Sequence, residues 1–192
     1  MSRKCVPHDG TGAEWFLTCL SLLISSSFRK IIFLSIRYFL FNSATGYLFD
    51  KGIYTADCVT KSANYCVGNS AREACILLCE VALGEMNELV HADYNASNLP
   101  DGKLSTKGLG RTIPNEKQAI YVSEEELDGT APAAKSKKPK KGDSNSNIPK
   151  VKIPMGLSVD APQKDLYLQY NEYIVYSVEQ VRLRYLIRFK FA

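Results

Sequence analysis

Residues 167–176, Tyr-Leu-Gln-Tyr-Asn-Glu-Tyr-Ile-Val-Tyr, alternate on a two-residue period and are dense in aromatic and β-branched side chains. The stretch therefore predicts a strand, with Leu168, Tyr170, Glu172, Ile174 and Tyr176 on one face. Glu172 is the anomaly. A carboxylate among aromatic and aliphatic neighbours is costly unless it meets a hydrogen-bond partner or a substrate, or faces solvent at a sheet edge. Two readings follow: a reactive acid in a site, or an edge-strand charge that blocks aggregation.

The same patterns predict strands at 47–49, 76–83, 119–122, 170–178 and 184–191, with a short helix at 62–66. Residues 181–191 set Arg182 and Arg184 against Val181, Leu183, Tyr185 and Ile187, as a half-buried strand does, with a register shift at 186–188. Strands without regularly alternating helices argue for an α+β fold with mainly antiparallel sheets. In 46–66, Gly46 and Gly52 punctuate the chain, Asp50-Lys51 reads as a turn and Ile53-Tyr54 as a new extended piece. Asp57 or Thr60 then caps a helix on which Ser62 and Tyr65, three apart, share a face. A ring beside a hydroxyl suits a planar, amide-bearing ligand; the plain alternative is a tyrosine packed on its own core.

Composition narrows the picture. At 192 residues the chain is long enough for one domain, and a net charge of +4 is too modest to argue for nucleic-acid binding. Residues 15–28 carry no charge and 31–41 are apolar apart from Arg37, but Arg29-Lys30 splits the run before it reaches a bilayer span of about 20 residues. Arg3 and Lys4 ahead of it give it the look of a signal peptide. An intracellular protein without a membrane segment is expected. Residues 1–45 read as an atypical apolar N-terminus of splice or gene-model origin ahead of a domain at 46–192, with a buried core strand or helix as the alternative for its apolar run. A Lys-rich insertion at about 123–152 interrupts that domain. Its residues 131–150 lack aromatics and periodicity, so disorder is expected there, and the lysines of 135–141 resemble a nuclear-localisation or polyanion-binding tract. No Cys-x-x-Cys pair occurs among the six cysteines, and His8 and His91 lack ligand spacing, so metal binding is not expected. Gly108-Leu-Gly110 lacks the third glycine of a dinucleotide fingerprint.

Four stretches, in order, carry a family resemblance. They are Gly46-Tyr-Leu-Phe-Asp-Lys-Gly-Ile-Tyr-Thr-Ala-Asp-Cys-Val-Thr-Lys-Ser-Ala-Asn-Tyr-Cys66, Leu77-Leu-Cys-Glu-Val-Ala-Leu-Gly-Glu-Met-Asn-Glu-Leu89, Asn98-Leu-Pro-Asp-Gly-Lys-Leu-Ser-Thr-Lys-Gly-Leu-Gly110 and Tyr170-Asn-Glu-Tyr-Ile-Val-Tyr176. Together they resemble the catalytic domain of the poly(ADP-ribose) polymerases, in wording like the DNA-dependent nuclear branch. The resemblance implies an ADP-ribosyltransferase fold, two packed sheets around an NAD cleft, incomplete here on the N-terminal side. It implies an NAD-dependent transferase that moves ADP-ribose to protein acceptors, extends poly(ADP-ribose) and releases nicotinamide. It places the protein in the nucleus, in DNA repair, with DNA reached only through domains absent from this chain.

Site roles carry over where residues match. Glu172 is similar to the acid of the family's His-Tyr-Glu triad, which binds the nicotinamide-ribose 2′-hydroxyl and stabilises an oxocarbenium-like transition state. Tyr54 resembles the triad tyrosine, Tyr65 the ring that stacks on nicotinamide, Ser62 the hydroxyl that holds its carboxamide, and Tyr170 a position near the acceptor. The chain departs from the family in having no His-Gly-Ser; its histidine upstream of Gly46 is His8, in Pro7-His-Asp-Gly10. The expectation is a catalytic-domain fragment that lacks the histidine half. Its alternative is a catalytically inactive ADP-ribosyltransferase-fold interaction module.

Overall fold

The computed structural model describes residues 29–35, 47–129 and 150–191. His8, the apolar run 15–28 and most of the Lys-rich insertion, with its lysines at 135–141, lie outside the described residues. Twelve strands fall into three sheets among the described residues. The largest has the order β12 (Val181–Lys190), β3 (Glu73–Ala82), β1 (Arg29–Ser35), β8 (Lys150–Ile153), β7 (Ile120–Ser123). A four-stranded sheet has the order β2 (Ile53–Thr55), β11 (Glu172–Val175), β5 (Ser105–Gly108), β4 (Met86–Leu89), and a three-stranded sheet holds β10 (Leu168–Tyr170), β6 (Gly110–Pro114) and β9 (Ser158–Asp160). Among the described residues, helix is confined to α1 (Val59–Ala63), α2 (Glu124–Leu127) and two 3-10 turns. The fold is α+β. Its pairings are antiparallel except β1–β8, β4–β5 and β6–β10.

Arg29–Ser35 lies within the apolar 1–45 stretch, yet it pairs with β3 along its whole length, from Arg29↔Ala82 to Ser35↔Ile76. At the two ends of the expected insertion, β7 and β8 pair with each other, and Ser123 starts α2 in a reciprocal capping box with Glu126. β1, β3, β12 and α2 are tied together by charge. Glu80, only 4% exposed, receives Arg29 (3.1 Å) and Arg184, while Glu124 and Asp128 take up Arg182 and the outer side of Arg184.

Several expected elements change. Residues 47–49 form a turn rather than a strand, because the Tyr54 hydroxyl accepts a hydrogen bond from the Phe49 amide (2.9 Å) and donates one to the Asp50 carbonyl (2.8 Å). Asp50 closes that turn in the left-handed region, at φ 59°. The single strand expected over 170–178 is two: β10 pairs with β6, and after Asn171 the chain passes to the other sheet as β11. β12 is not half buried, since Leu183, Tyr185 and Leu186 are all more than half exposed. Its irregularity comes at Leu183/Tyr185, earlier than expected, and turns Arg184 inward to Glu80.

Two apolar clusters sandwich β11. Ile32, Cys79, Val81, Leu83, Tyr173 and Val175 form one, and Phe49, Tyr54, Ala96, Leu168 and Ile174 form the other. Alternation along the strand thus puts Tyr173 and Val175 on one side and Glu172 and Ile174 on the side of Tyr54.

Candidate active site

Glu172 opens β11, between β2 and β5, and is only 6% exposed. It is no edge-strand charge; that reading fails because both flanks of β11 are paired. The carboxylate meets the Lys61 ammonium, with Nζ 2.5 Å from Oε1. Burial alone pulls the Lys61 ammonium down, but the hydrogen bond and charge of Glu172 outweigh it and leave Lys61 above the ordinary lysine value.

Lys61 lies in α1, whose position follows from the residues before it. The helix starts after Cys58 with no side-chain cap, so neither Asp57 nor Thr60 caps it. Asp57 is turned instead toward Lys30, Asn171 and Tyr173. The helix ends at Ala63, short of Tyr65, but Tyr65 and Cys66 amides bond back to the Ser62 and Ala63 carbonyls and carry the turn onward. Ser62 is buried on this segment, while Tyr65 is 37% exposed and its hydroxyl accepts from Lys61 (3.3 Å).

Tyr54, Thr55, Ala56, Lys61, Ser62, Tyr65 and Glu172 line one cleft that opens to solvent. Four residues singled out from the sequence, Tyr54, Ser62, Tyr65 and Glu172, therefore meet in one place. Tyr54 presents its ring there, because its hydroxyl is taken up by the 49–50 turn; burial pushes that phenol up from its ordinary value. Tyr170 is not among the lining residues; it is half-buried in β10, opposite Thr112.

Two residues were missed from the sequence. Lys61 was signalled by the cost of a buried acid, which calls for a cation, and by its position four residues before Tyr65. Asn171 marks the switch between sheets: its amide oxygen accepts from the Gly110 amide (2.9 Å) and its amide nitrogen donates to Asp57 (3.1 Å). Gly110 is required at that crossing, since a Cβ there would stand 2.1 Å from the Tyr170 carbonyl carbon.

The arrangement offers a fixed, water-poor carboxylate, its ammonium partner, an aromatic plate and a buried hydroxyl around one cleft. Such a carboxylate stabilises positive charge developing on a ligand far better than one in water does. Known proteins share the sequence that builds it. The family model described as "Poly(ADP-ribose) polymerase catalytic domain" matches residues 25–148 and 118–191. The chain belongs to the poly(ADP-ribose) polymerase catalytic-domain family. Poly [ADP-ribose] polymerase 2 of Arabidopsis thaliana is 47% identical over 148 residues, covering 77% of this chain and 19% of the relative. Poly [ADP-ribose] polymerase 1 of Xenopus laevis is 43% identical over 148 residues, 77% of this chain and 12% of the relative. Poly [ADP-ribose] polymerase 2 of Homo sapiens is 41% identical over 151 residues, 77% of this chain and 21% of the relative. The chain thus spans about a fifth or less of the length of these polymerases. Within this family, enzymes use NAD as the ADP-ribose donor, and the α+β fold described above is the family's.

Proposed function

We propose that the chain is the C-terminal part of the catalytic domain of a nuclear poly(ADP-ribose) polymerase. The enzyme transfers ADP-ribose from NAD to protein acceptors, extends the polymer and releases nicotinamide. Supporting this is the meeting of Tyr54, Ser62, Tyr65 and Glu172 around one cleft. In it the Tyr65 ring stacks on nicotinamide, Ser62 holds the carboxamide and the Tyr54 ring closes the wall. Glu172 accepts from the ribose 2′-hydroxyl and stabilises the cationic sugar as the glycosidic bond breaks. Lys61 holds that carboxylate in place until the hydroxyl competes for it. Tyr170, outside the cleft, belongs to the acceptor side. Nuclear targeting is assigned to the lysines of 135–141, and a role in DNA repair follows from the same family reading.

One observation favours a second reading for this polypeptide. No His-Gly-Ser occurs in the sequence, so the grip expected on the adenine-side ribose is missing and an inactive interaction module of the same fold is the alternative. Incubation with labelled NAD separates the two. Incorporation by the chain that is lost in Glu172→Gln supports transfer, and no incorporation by either selects the interaction module.

A further inference from the structure

Behind the cleft, on the far side of β11, lies a second buried polar cluster that the proposed transfer does not use. Its hub is Asp57, whose side chain is 1% exposed. Oδ2 of Asp57 receives the Tyr173 hydroxyl (2.7 Å), the Lys30 ammonium (3.0 Å) and the Asn171 amide (3.1 Å). Lys30 also donates to the Tyr173 hydroxyl at 2.6 Å and stands 4.4 Å from that ring's centroid. Among the described residues, Oδ1 of Asp57 is buried with no hydrogen-bond partner.

Such a centre is a poor source of stability. Desolvating a carboxylate and an ammonium is costly, one carboxylate oxygen is left unmet, and well-packed apolar residues commonly do as well or better. What buried ion clusters supply is fixed register between elements, and the connectivity here is specific. Asn171 and Tyr173 flank Glu172 in sequence, one just before β11 and one within it, and both grip Asp57. Asp57 lies two residues ahead of α1, which carries Lys61, and Lys61 reaches back to Glu172. A closed ring therefore runs from α1 through Asp57 to both sides of Glu172, out along the Glu172 side chain, and through Lys61 into α1 again. The Asn171 amide cannot turn over within it, because its oxygen is held by the Gly110 amide.

Taking Glu172 as the reacting acid of the proposed transfer, we infer that Asp57 is a positioning residue. Through Asn171 and Tyr173 it sets the spacing of β11 from α1 and so fixes where the Glu172 carboxylate stands against Lys61, Ser62 and Tyr65. Lys30, from β1, neutralises the hub. Asp57 touches no reacting atom; its effect reaches the chemistry by placement alone.

The test uses the 192-residue chain with Tyr173→Phe, which removes the shortest bond to the hub and keeps the ring, and with Asp57→Asn, which keeps the shape and removes the charge. Titration of the Lys61 side chain by NMR reports the Lys61–Glu172 pair whether or not NAD is consumed. In both variants Lys61 is expected to fall back toward the ordinary lysine value. Tyr176→Phe is the control, since it loses hydrogen bonds from the residue just past β11 to Phe49 and Thr106 without touching Asp57, and Lys61 should titrate there as in the parent. Turnover of NAD by the two hub variants should drop about 10- to 100-fold in kcat with KM within about threefold, the pattern of a misplaced reacting group rather than a lost binding contact. An unchanged Lys61 titration in the folded hub variants, or loss of the fold in both, overturns the inference. A parent chain that does not turn over NAD refutes the transfer reading alone, and the Lys61 titration still decides on Asp57.

Discussion

Replacing Gly110 with alanine tests whether the crossing of chain at Asn171 holds the site together. The added Cβ would stand 2.1 Å from the Tyr170 carbonyl carbon and 2.4 Å from the Asn171 nitrogen, about 1.3 Å inside an ordinary 3.4 Å contact. Both obstacles are backbone, so no rotamer change relieves them and β6 must move away from the β10–β11 junction. Overpacking of this kind costs about 1–3 kcal/mol. The move also pulls the Gly110 amide off the Asn171 side chain, and a buried hydrogen bond broken with its partners left behind adds about 1–3 kcal/mol. The expected destabilisation is therefore about 2–6 kcal/mol, read from urea unfolding midpoints at constant slope. Gly102→Ala calibrates it: Gly102 has φ +79° in an exposed turn with nothing within 4 Å of a Cβ, so only the left-handed backbone penalty of about 1 kcal/mol applies. Gly110→Ala less damaging than Gly102→Ala would refute the reasoning.

Three further outcomes are expected. Tyr54→Phe keeps the ring in the cleft but strands the Phe49 amide and Asp50 carbonyl, so unfolding should cost about 1–3 kcal/mol less while affinity for a nicotinamide-like ring is unchanged; loss of that affinity in the folded variant would put the hydroxyl in the site. Glu80→Gln leaves Arg29 and Arg184 without their shared carboxylate and should destabilise by about 3 kcal/mol in thermal or urea unfolding, against a change below about 0.5 kcal/mol if the cluster is merely superficial. Burial pushes the Cys79 thiol up to about 12, so the unfolded chain loses its proton first and stability falls as pH climbs from about 9 toward 12. Burial also raises the Tyr54, Tyr173 and Tyr176 phenols, which act in the same direction above about pH 10, whereas the lowered Lys30 opposes them. Urea midpoints measured from pH 8 to 11 should therefore fall less steeply in Cys79→Ala than in the parent, and equal slopes would contradict the assignment.

How much of this was legible in the sequence varied with how local the cause was. The strand around Glu172 and the common face of Glu172 and Ile174 follow from period-two alternation, a local signal. So does the turn after Tyr54's partner segment, but the aromatic run at 47–49 was misread as a strand because the hydrogen bonds that bend it come from Tyr54, five residues on. β5, Ser-Thr-Lys-Gly, carries no hydrophobic alternation and exists because β11 and β4 pair with it on either side. The split of 170–178 between two sheets is invisible to a periodicity that runs straight through Asn171; the Gly110 contact that imposes it is 61 residues away in sequence. Site residues were legible to the extent that motif order carried them. Lys61 and Asp57 required the fold, since what makes them informative is which buried group each one meets.

The account stands on the cleft between α1 and β11 taking an amide-bearing aromatic ring. Titration of the chain with benzamide, followed by NMR, tests this without reliance on turnover. The resonances of Tyr54, Ser62, Tyr65 and Lys61 should shift together with one dissociation constant, and Ser62→Ala and Tyr65→Ala should each weaken it by about tenfold or more, as loss of a buried hydrogen bond or a stacked ring does. Shifts that cluster elsewhere, or an affinity indifferent to both substitutions, would contradict it.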